Sequence, residues 1–519
     1  MSLASPSADG LAVPTAHAEL ADPRVLGENA AYAKIVEDAE AHRLAGADVV
    51  VVQGLGFVGA AVAAVIAGAN DTEGRPCHFV VGVDLPTTAG SEKVARLQAG
   101  VSPIGSADAE LETLTRRVVE RGTLTATTSE RAYELADVIV VDIPLDVADR
   151  LAGSAAELEV VLPAFEGAVR AIGRRMREDA LVIVETTVPP GTCEQVVLPI
   201  LNAERRERSI DRPVLLAHAY ERVMPGARYV ESIRSYPRTF SGIDEASAAR
   251  AREFLSSFID VEAHPLWELP DTTSSEIAKL LENAYRSMNI AFIQEWTLLA
   301  ETTGVDLYEI IESIRVRKGT HDNIRYPGFG VGGYCLPKDS LLAQWGATNL
   351  AGSNAVLDMT LAAVRTNALM PLHTRDLVAE LMGDLQGRTV AVCGVSYLPG
   401  VPDTRNSPTE VLVDALVDAG ADVRVHDPQI EVWPERPDAT LSGDLTAALA
   451  GADGVIFTVR HPEYVGISAA ELLELAGGAL NVVDAQNVVS DAKAALLVES
   501  GCRIAGVGKG HWRKRGYGA

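Results

Sequence analysis

Two hydrophobic rhythms alternate along this chain. Residues 47–53, Ala-Asp-Val-Val-Val-Val-Gln, form a near-continuous apolar run, as expected of a parallel strand buried on both faces. Residues 80–84, Val-Val-Gly-Val-Asp, repeat the pattern and close on an acid. Further strand candidates lie at 124–127, 138–143, 181–185 and 214–217. Helical segments separate most of them, which predicts a doubly wound parallel sheet. Between 272 and 303 the period changes. Ile277, Leu280, Leu281, Ala284, Met288, Ala291, Phe292 and Leu299 recur at spacings of three and four, one face of a helix. With neither Pro nor Gly before Gly304, that helix would span roughly 45 Å. A second set of strands follows at 388–394, 423–428, 454–459 and 481–485.

The first strand runs straight into Gly54-Leu-Gly-Phe-Val-Gly59 and a helix of small residues. In a strand–turn–helix unit Gly54 permits the tight turn, Gly56 the approach of a pyrophosphate, and Gly59 close packing of the helix. Phe57 and Val58 complete this candidate cofactor turn. Asp84, closing the second strand, would accept the adenosine ribose hydroxyls. With no arginine beside it, Asp84 favours NAD over NADP, because a carboxylate repels a 2′-phosphate. The expected fold class is therefore α/β: two Rossmann-like doubly wound domains joined by a long central helix. The expected division is an N-terminal extension at 1–45, with a short helix near 28–43, and an NAD-binding domain at 46–258. A central helical domain at 259–384 and a C-terminal Rossmann-like domain at 385–519 complete it. So long an amphipathic helix also predicts a homodimer packed along it.

Composition narrows the function. The chain has 519 residues, 47% hydrophobic and 22% charged, a globular balance. No run approaches about 18 apolar residues, so no membrane span is expected. The N-terminus lacks the basic start and apolar core of a signal peptide. Five scattered cysteines argue against a disulfide framework and for the cytoplasm. A net charge of -26 speaks against nucleic acid and anionic membranes as partners, and the basic end at 509–515 reads as a solvated tail.

Chemistry concentrates in residues 327–339, Pro-Gly-Phe-Gly-Val-Gly-Gly-Tyr-Cys-Leu-Pro-Lys-Asp. Glycines let a ligand approach the backbone closely. Cys335 is followed by Lys338 and Asp339, and a nearby cation is expected to lower the thiol pKa. The competing reading of Cys335 is a small packed hydrophobe. Two polar loops close strands: Thr186-Thr-Val-Pro-Pro-Gly-Thr192, and a stretch carrying Glu221 and Arg222, for which a surface ion pair is the plain alternative. Lys279 and Asn283 share a face of the long helix, where a solvated stripe is the usual fate.

Taken together, the motifs resemble one family, the UDP-glucose/GDP-mannose dehydrogenases, or nucleotide-sugar 6-dehydrogenases. The glycine turn, Thr187-Val-Pro-Pro-Gly-Thr192, Glu221-Arg-Val-Met-Pro-Gly226, Lys279-Leu-Leu-Glu-Asn283, the Cys335 loop and Asp403-Thr-Arg-Asn-Ser-Pro408 stand in family order. The resemblance implies NAD as cofactor, a nucleotide sugar as substrate, no metal, and oxidation of a C6 alcohol through a Cys335 thiohemiacetal and thioester. It implies oxyanion donors in Lys279 and Asn283, proton transfer by Asp339, and a carboxylate near the thioester in Glu221. Lys338, Arg405 and Thr187 match cofactor-contacting positions. Arg222, Tyr326, Gly328, Phe329 and Gly330 match the sugar-nucleotide side. Three positions depart from the pattern. Leu145 stands where the family's water-holding threonine is expected, Leu398 where a substrate lysine is, and Gln486 where an arginine is. These departures point to an altered sugar or nucleotide, or to slow hydrolysis with arrest at the aldehyde. A two-electron hydroxyacid-type dehydrogenase and a non-catalytic NAD-binding protein are the competing functions. The first needs no nucleophilic cysteine, and the second would lose Cys335, Lys279 or Asn283.

Overall fold

The computed structural model describes residues 23–106, 108–148, 158–223, 226–439 and 441–519. Eight strands form the first sheet: β1 Asp48–Gln53, β2 His78–Val83, β3 Leu124–Thr127, β4 Val138–Val141, β5 Leu181–Val184, β6 Leu215–Tyr220, β7 Thr239–Gly242 and β8 Trp267–Glu268. Their order is β3-β2-β1-β4-β5-β6-β7-β8. The strands from β3 to β6 pair in parallel, while β7 runs antiparallel to β6. Alternate side chains of a strand point to opposite faces, and both faces are packed here. Val50, Val52, Val80 and Val138 meet the helix Phe57–Ala67 on one side. Val49, Val51, Phe79 and Ile139 face a second cluster on the other.

That second cluster includes Ile35 and Ala39 of the helix Pro23–Leu44. The stretch read as an extension therefore contributes a helix to the first domain's packing, longer than the short one expected. Residues 1–22 lie outside the described residues.

The second sheet holds β9 Thr389–Cys393, β10 Asp422–His426, β11 Gly454–Phe457, β12 Asn481–Asp484 and β13 Arg503–Gly506, all parallel in the order β10-β9-β11-β12-β13. Between the sheets runs the central helix Thr272–Thr303. The Asp271 side chain caps its start by accepting from the Ser274 N–H at 2.6 Å, and Gly304 ends it in the left-handed region, where glycine avoids the Cβ clash.

The buried face of this helix differs from the expected one. Leu280, Ala284 and Ala291 are buried, but so are Glu276, Lys279, Asn283, Ser287 and Gln294. Ile277, Leu281, Phe292 and Leu299 are exposed. Small and polar residues let the helix lie close against β6 and β7 of the first sheet, and most of its large apolar side chains other than Leu280 and Ile293 are exposed.

Candidate active site

In open α/β sheets ligands lie beyond the carboxyl ends of the strands, and the motif residues gather there. At the end of β1, Gly54 has φ +98, and a Cβ on it would overlap the Asp142 carbonyl. A Cβ on Gly59 would overlap the Gly54 carbonyl, whereas one on Gly56 would project into open space. This is the bare backbone that a dinucleotide phosphate needs at a helix N-terminus. Asp84 accepts from the Leu55 N–H at 3.0 Å, the Leu85 N–H at 2.8 Å and Lys93 Nζ at 3.1 Å. A carboxylate has about four lone-pair sites, so capacity remains for ribose hydroxyls, and the turn fits NAD. Lys93 is a cation beside Asp84 that the sequence reading did not pick out. Thr187 lies half-buried just past β5.

The second group surrounds Cys335. The Cys335 carbonyl accepts from the N–H groups of Lys338 (3.1 Å) and Asp339 (2.9 Å), turning the loop into the helix Asp339–Asn349. Asp339 and Lys338 are buried and paired at 3.0 Å, and Asn283 Nδ2 donates to the other Asp339 oxygen at 2.7 Å. Buried charges need such partners. Lys279 Nζ donates to the Glu221 carbonyl at 2.8 Å and lies 3.6 Å from its Oε1. Burial alone would lower the Lys279 ammonium, but Glu221, then Cys335 and Asp339, outweigh it and hold its pKa above the usual lysine value. Neither Lys279 nor Asn283 is a solvated stripe, and Glu221 is no surface pair.

Cys335 itself is reached by solvent, although protein crowds around it. That crowding, followed by the charge of Asp339, pushes its thiol up to about 11 against the pull of Lys279 and Lys338. The expected lowering by a nearby cation is thus overturned: burial comes first, and Asp339 adds to it more than Lys279 or Lys338 takes away.

Other candidates are placed less directly. Arg405 forms a two-toothed pair with Asp403 and lies over the rings of Phe57 (5.0 Å) and Tyr334 (5.5 Å). It thereby spans from the second sheet's loops to the dinucleotide turn. Arg222 is committed to Glu282 at 2.9 Å, the Tyr220 hydroxyl and Thr239. Tyr326 stacks on Tyr308 and donates to Glu312. Phe329 is packed in the second domain's core, so only its backbone faces the loop. Gly328 lies against Gln486, with room for a Cβ only 3.1 Å from its Oε1, and Gly330 has φ +133. Met224 and Pro225 of the Glu221 motif lie outside the described residues.

Comparison with known proteins follows the same lines. Three family models match in succession: the UDP-glucose/GDP-mannose dehydrogenase NAD binding domain over 48–259, the central domain over 273–368, and the UDP binding domain over 391–491. A UDP-glucose 6-dehydrogenase of Pseudomonas aeruginosa is 30% identical over 439 residues, covering 80% of this chain and 90% of the relative. The chain belongs to the UDP-glucose/GDP-mannose dehydrogenase family. A UDP-N-acetyl-D-mannosamine dehydrogenase of Pyrococcus horikoshii is 29% identical over 89% of this chain and 99% of its own length. A solved UDP-D-ManNAc dehydrogenase from that organism superposes with a TM-score of 0.76 at 27% identity, covering 89% of this chain and all of that one. An NDP-N-acetyl-D-galactosaminuronic acid dehydrogenase from Methanosarcina mazei gives 0.75 at 29% identity, covering 91% and 98%. The chain is thus an oxidoreductase with the family's NAD binding domain and UDP binding domain. No helix among the described residues is long and apolar enough to cross a membrane.

Within this family site, Leu145 is buried and packs into the first domain's core, offering the cleft no hydroxyl. Its carbonyl instead accepts from the Tyr334 hydroxyl at 2.7 Å. Leu398 is exposed. Sequence reasoning missed two supporting acids. Glu276 accepts from the N–H groups of Gly191 (2.6 Å) and Cys193 (2.8 Å), fixing the Thr187 loop to the central helix. Asp142 lies under the dinucleotide turn. Its signal was an acid ending an apolar strand on the ligand side of the sheet.

Proposed function

We propose that this chain is an NAD-dependent nucleotide-sugar 6-dehydrogenase that oxidises the C6 alcohol of a UDP- or GDP-hexose, or N-acetylhexosamine, to the uronate through a covalent stage on Cys335. The observation that carries the reading is an accessible Cys335 in a loop closed by the buried Lys338–Asp339 pair, with Asn283 of the central helix bonded to Asp339 and Lys279, one turn away, bonded to Glu221. NAD supplies hydride acceptance for both oxidations. The first removes a hydride from C6 and a proton from its hydroxyl, leaving an aldehyde. Cys335 then loses its thiol proton as its sulfur bonds to the aldehyde carbon, and the carbonyl oxygen takes up a proton. Loss of a second hydride and of that hydroxyl proton gives a thioester, which water cleaves to the carboxylate and the free thiol. Lys279 and Asn283 are the donors for the oxygen as it gains negative charge. Because the thiol is held high, its proton must leave as the bond forms, and Asp339 and Glu221 are the acceptors at hand.

Leu145 favours slow hydrolysis in the last step. A thioester adduct on Cys335 should then accumulate during turnover in the mass spectrum of the intact protein. The named relatives act on both plain and N-acetylated sugars, so the test is NADH formed per sugar across a panel of UDP- and GDP-hexoses and N-acetylhexosamines. Two NADH per sugar supports the reading, and one NADH with free aldehyde refutes it. Asp84 favours NAD over NADP, and Lys93 offsets only part of that repulsion.

We further propose a homodimer along the central helix. Leu281 is 64% exposed and Phe292 54%, and Ile277, Tyr285, Trp296 and Leu299 extend the stripe. Monomers rarely leave so continuous an apolar face in water.

A further inference from the structure

We propose that Tyr334 is a positioning residue: its hydroxyl ties the Cys335 loop to the loop after β4 and so sets the cysteine against the nicotinamide end of the cofactor cleft. The inference rests on the reading of Cys335 as the group that meets the aldehyde. Neighbouring residues of this one loop are held by different domains. At Gly333 the hold comes from the UDP binding domain: the Gly333 N–H donates to the Arg405 carbonyl at 3.0 Å, and Asn406 Nδ2 donates to the Gly333 carbonyl at 3.0 Å. At Tyr334 it comes from the NAD binding domain, where the phenol donates to the Leu145 carbonyl at 2.7 Å. Just past Cys335, Asp339 accepts from Asn283 of the central helix at 2.7 Å. The cysteine stands between these three anchors.

The anchor to the second sheet is packed tight. A Cβ on Gly332 would stand 2.7 Å from Tyr397 Cβ and 2.8 Å from the Asn406 carbonyl oxygen, and one on Gly333, at φ +83, would come within 2.9 Å of the Tyr397 ring. The anchor to the first domain is a side-chain hydrogen bond that a substitution can remove. Its acceptor is well placed. Asp84 after β2 marks the adenosine half of the doubly wound sheet, so the nicotinamide half lies beyond β4 and β5. Leu145 belongs to the loop after β4, and the Ile143 N–H of that loop donates at 2.9 Å to Thr186 Oγ1, just past β5. The Leu145 side chain turns into the core, and its carbonyl receives the phenol. The Tyr334 ring is braced as well: Lys338 Nζ lies 4.5 Å and Arg405 Cζ 5.5 Å from its centroid, within reach of cation–π attraction. A braced ring gives its hydroxyl one direction. The second hydride leaves the carbon bonded to Cys335 sulfur, so the path from Leu145 through Tyr334 to its neighbour Cys335 sets the distance that hydride crosses. A displacement of about 1 Å there costs up to about a hundredfold in rate.

The test is Tyr334→Phe, which removes the hydroxyl and keeps the ring between its two cations. Hydrogen exchange over residues 331–339, followed by mass spectrometry without sugar or cofactor, should be about fivefold faster in the variant, the shift in local opening that loss of one hydrogen bond gives. With the UDP- or GDP-sugar that the unaltered protein turns over fastest, kcat should fall about tenfold. The KM for that sugar and the Kd for NADH should stay within about twofold, because the tie acts on the reacting geometry and not on binding. Exchange at the unaltered rate, or an unaltered kcat, would overturn the proposal. So would NADH affinity falling in step with kcat, the mark of a merely structural role. One NADH per sugar from the unaltered protein would refute the covalent reading instead, and exchange together with the kcat of that single oxidation would still decide whether Tyr334 positions the loop.

Discussion

At Cys335 the balance of neighbours matters more than the presence of a cation. Two lysines act on the thiol, but crowding and Asp339 prevail and push it up to about 11. In the proposed covalent chemistry, the group that attacks the aldehyde is then a thiol deprotonated in the act, not a standing thiolate. Alkylation of Cys335 by iodoacetamide, followed by mass spectrometry, should accelerate about tenfold per pH unit up to about pH 10, because only the thiolate reacts. A plateau below about pH 8 would contradict this balance. Asp339→Asn removes the raising charge, so it should speed alkylation at about pH 8. The sequence showed the loop, its cysteine and its lysine. It could not show that Lys338 turns onto Asp339 at 3.0 Å, since that depends on how the loop closes into the following helix.

Elements were legible where local pattern and final packing agree. The run at 124–127 is β3, and the central helix occupies Thr272–Thr303 as its period and Gly304 foretold. β7, β8 and β13 escaped notice. Thr239–Gly242 and Arg503–Gly506 each end in glycine, which weakens a strand pattern, and Trp267–Glu268 is only two residues long. The helix's inner face was misjudged because its neighbours demand small and polar side chains there. The dinucleotide turn allows a sharper test. Gly59→Ala should lower thermal stability by about 1–3 kcal/mol, since its Cβ has nowhere to go. Gly56→Ala should leave stability nearly unchanged and weaken NADH binding instead. Equal melting temperatures for the two variants would contradict the geometry of the turn.

At the scale of the whole molecule, the central helix serves two surfaces. Its inner face brings Lys279 and Asn283 to the Cys335 loop, and its outer face leaves Leu281 and Phe292 in the open. A paired Leu281→Glu and Phe292→Glu variant should convert the protein from dimer to monomer by light scattering at micromolar concentration. A monomeric unaltered protein would refute the dimer. The family was legible at this scale because its motifs stand in a fixed order, the order in which the three family models match. What Leu145, Leu398 and Gln486 do to the choice of sugar was not, because specificity depends on the shape of the whole cleft.

The central claim is that a single cysteine carries the second oxidation, and the most direct measurement is NADH formed per sugar nucleotide by Cys335→Ala beside the unaltered protein. The account predicts two NADH for the unaltered protein and no more than one for Cys335→Ala, with aldehyde as the product, because no side chain remains to hold the carbonyl carbon for the second hydride. Two NADH per sugar from Cys335→Ala at the unaltered rate would contradict it.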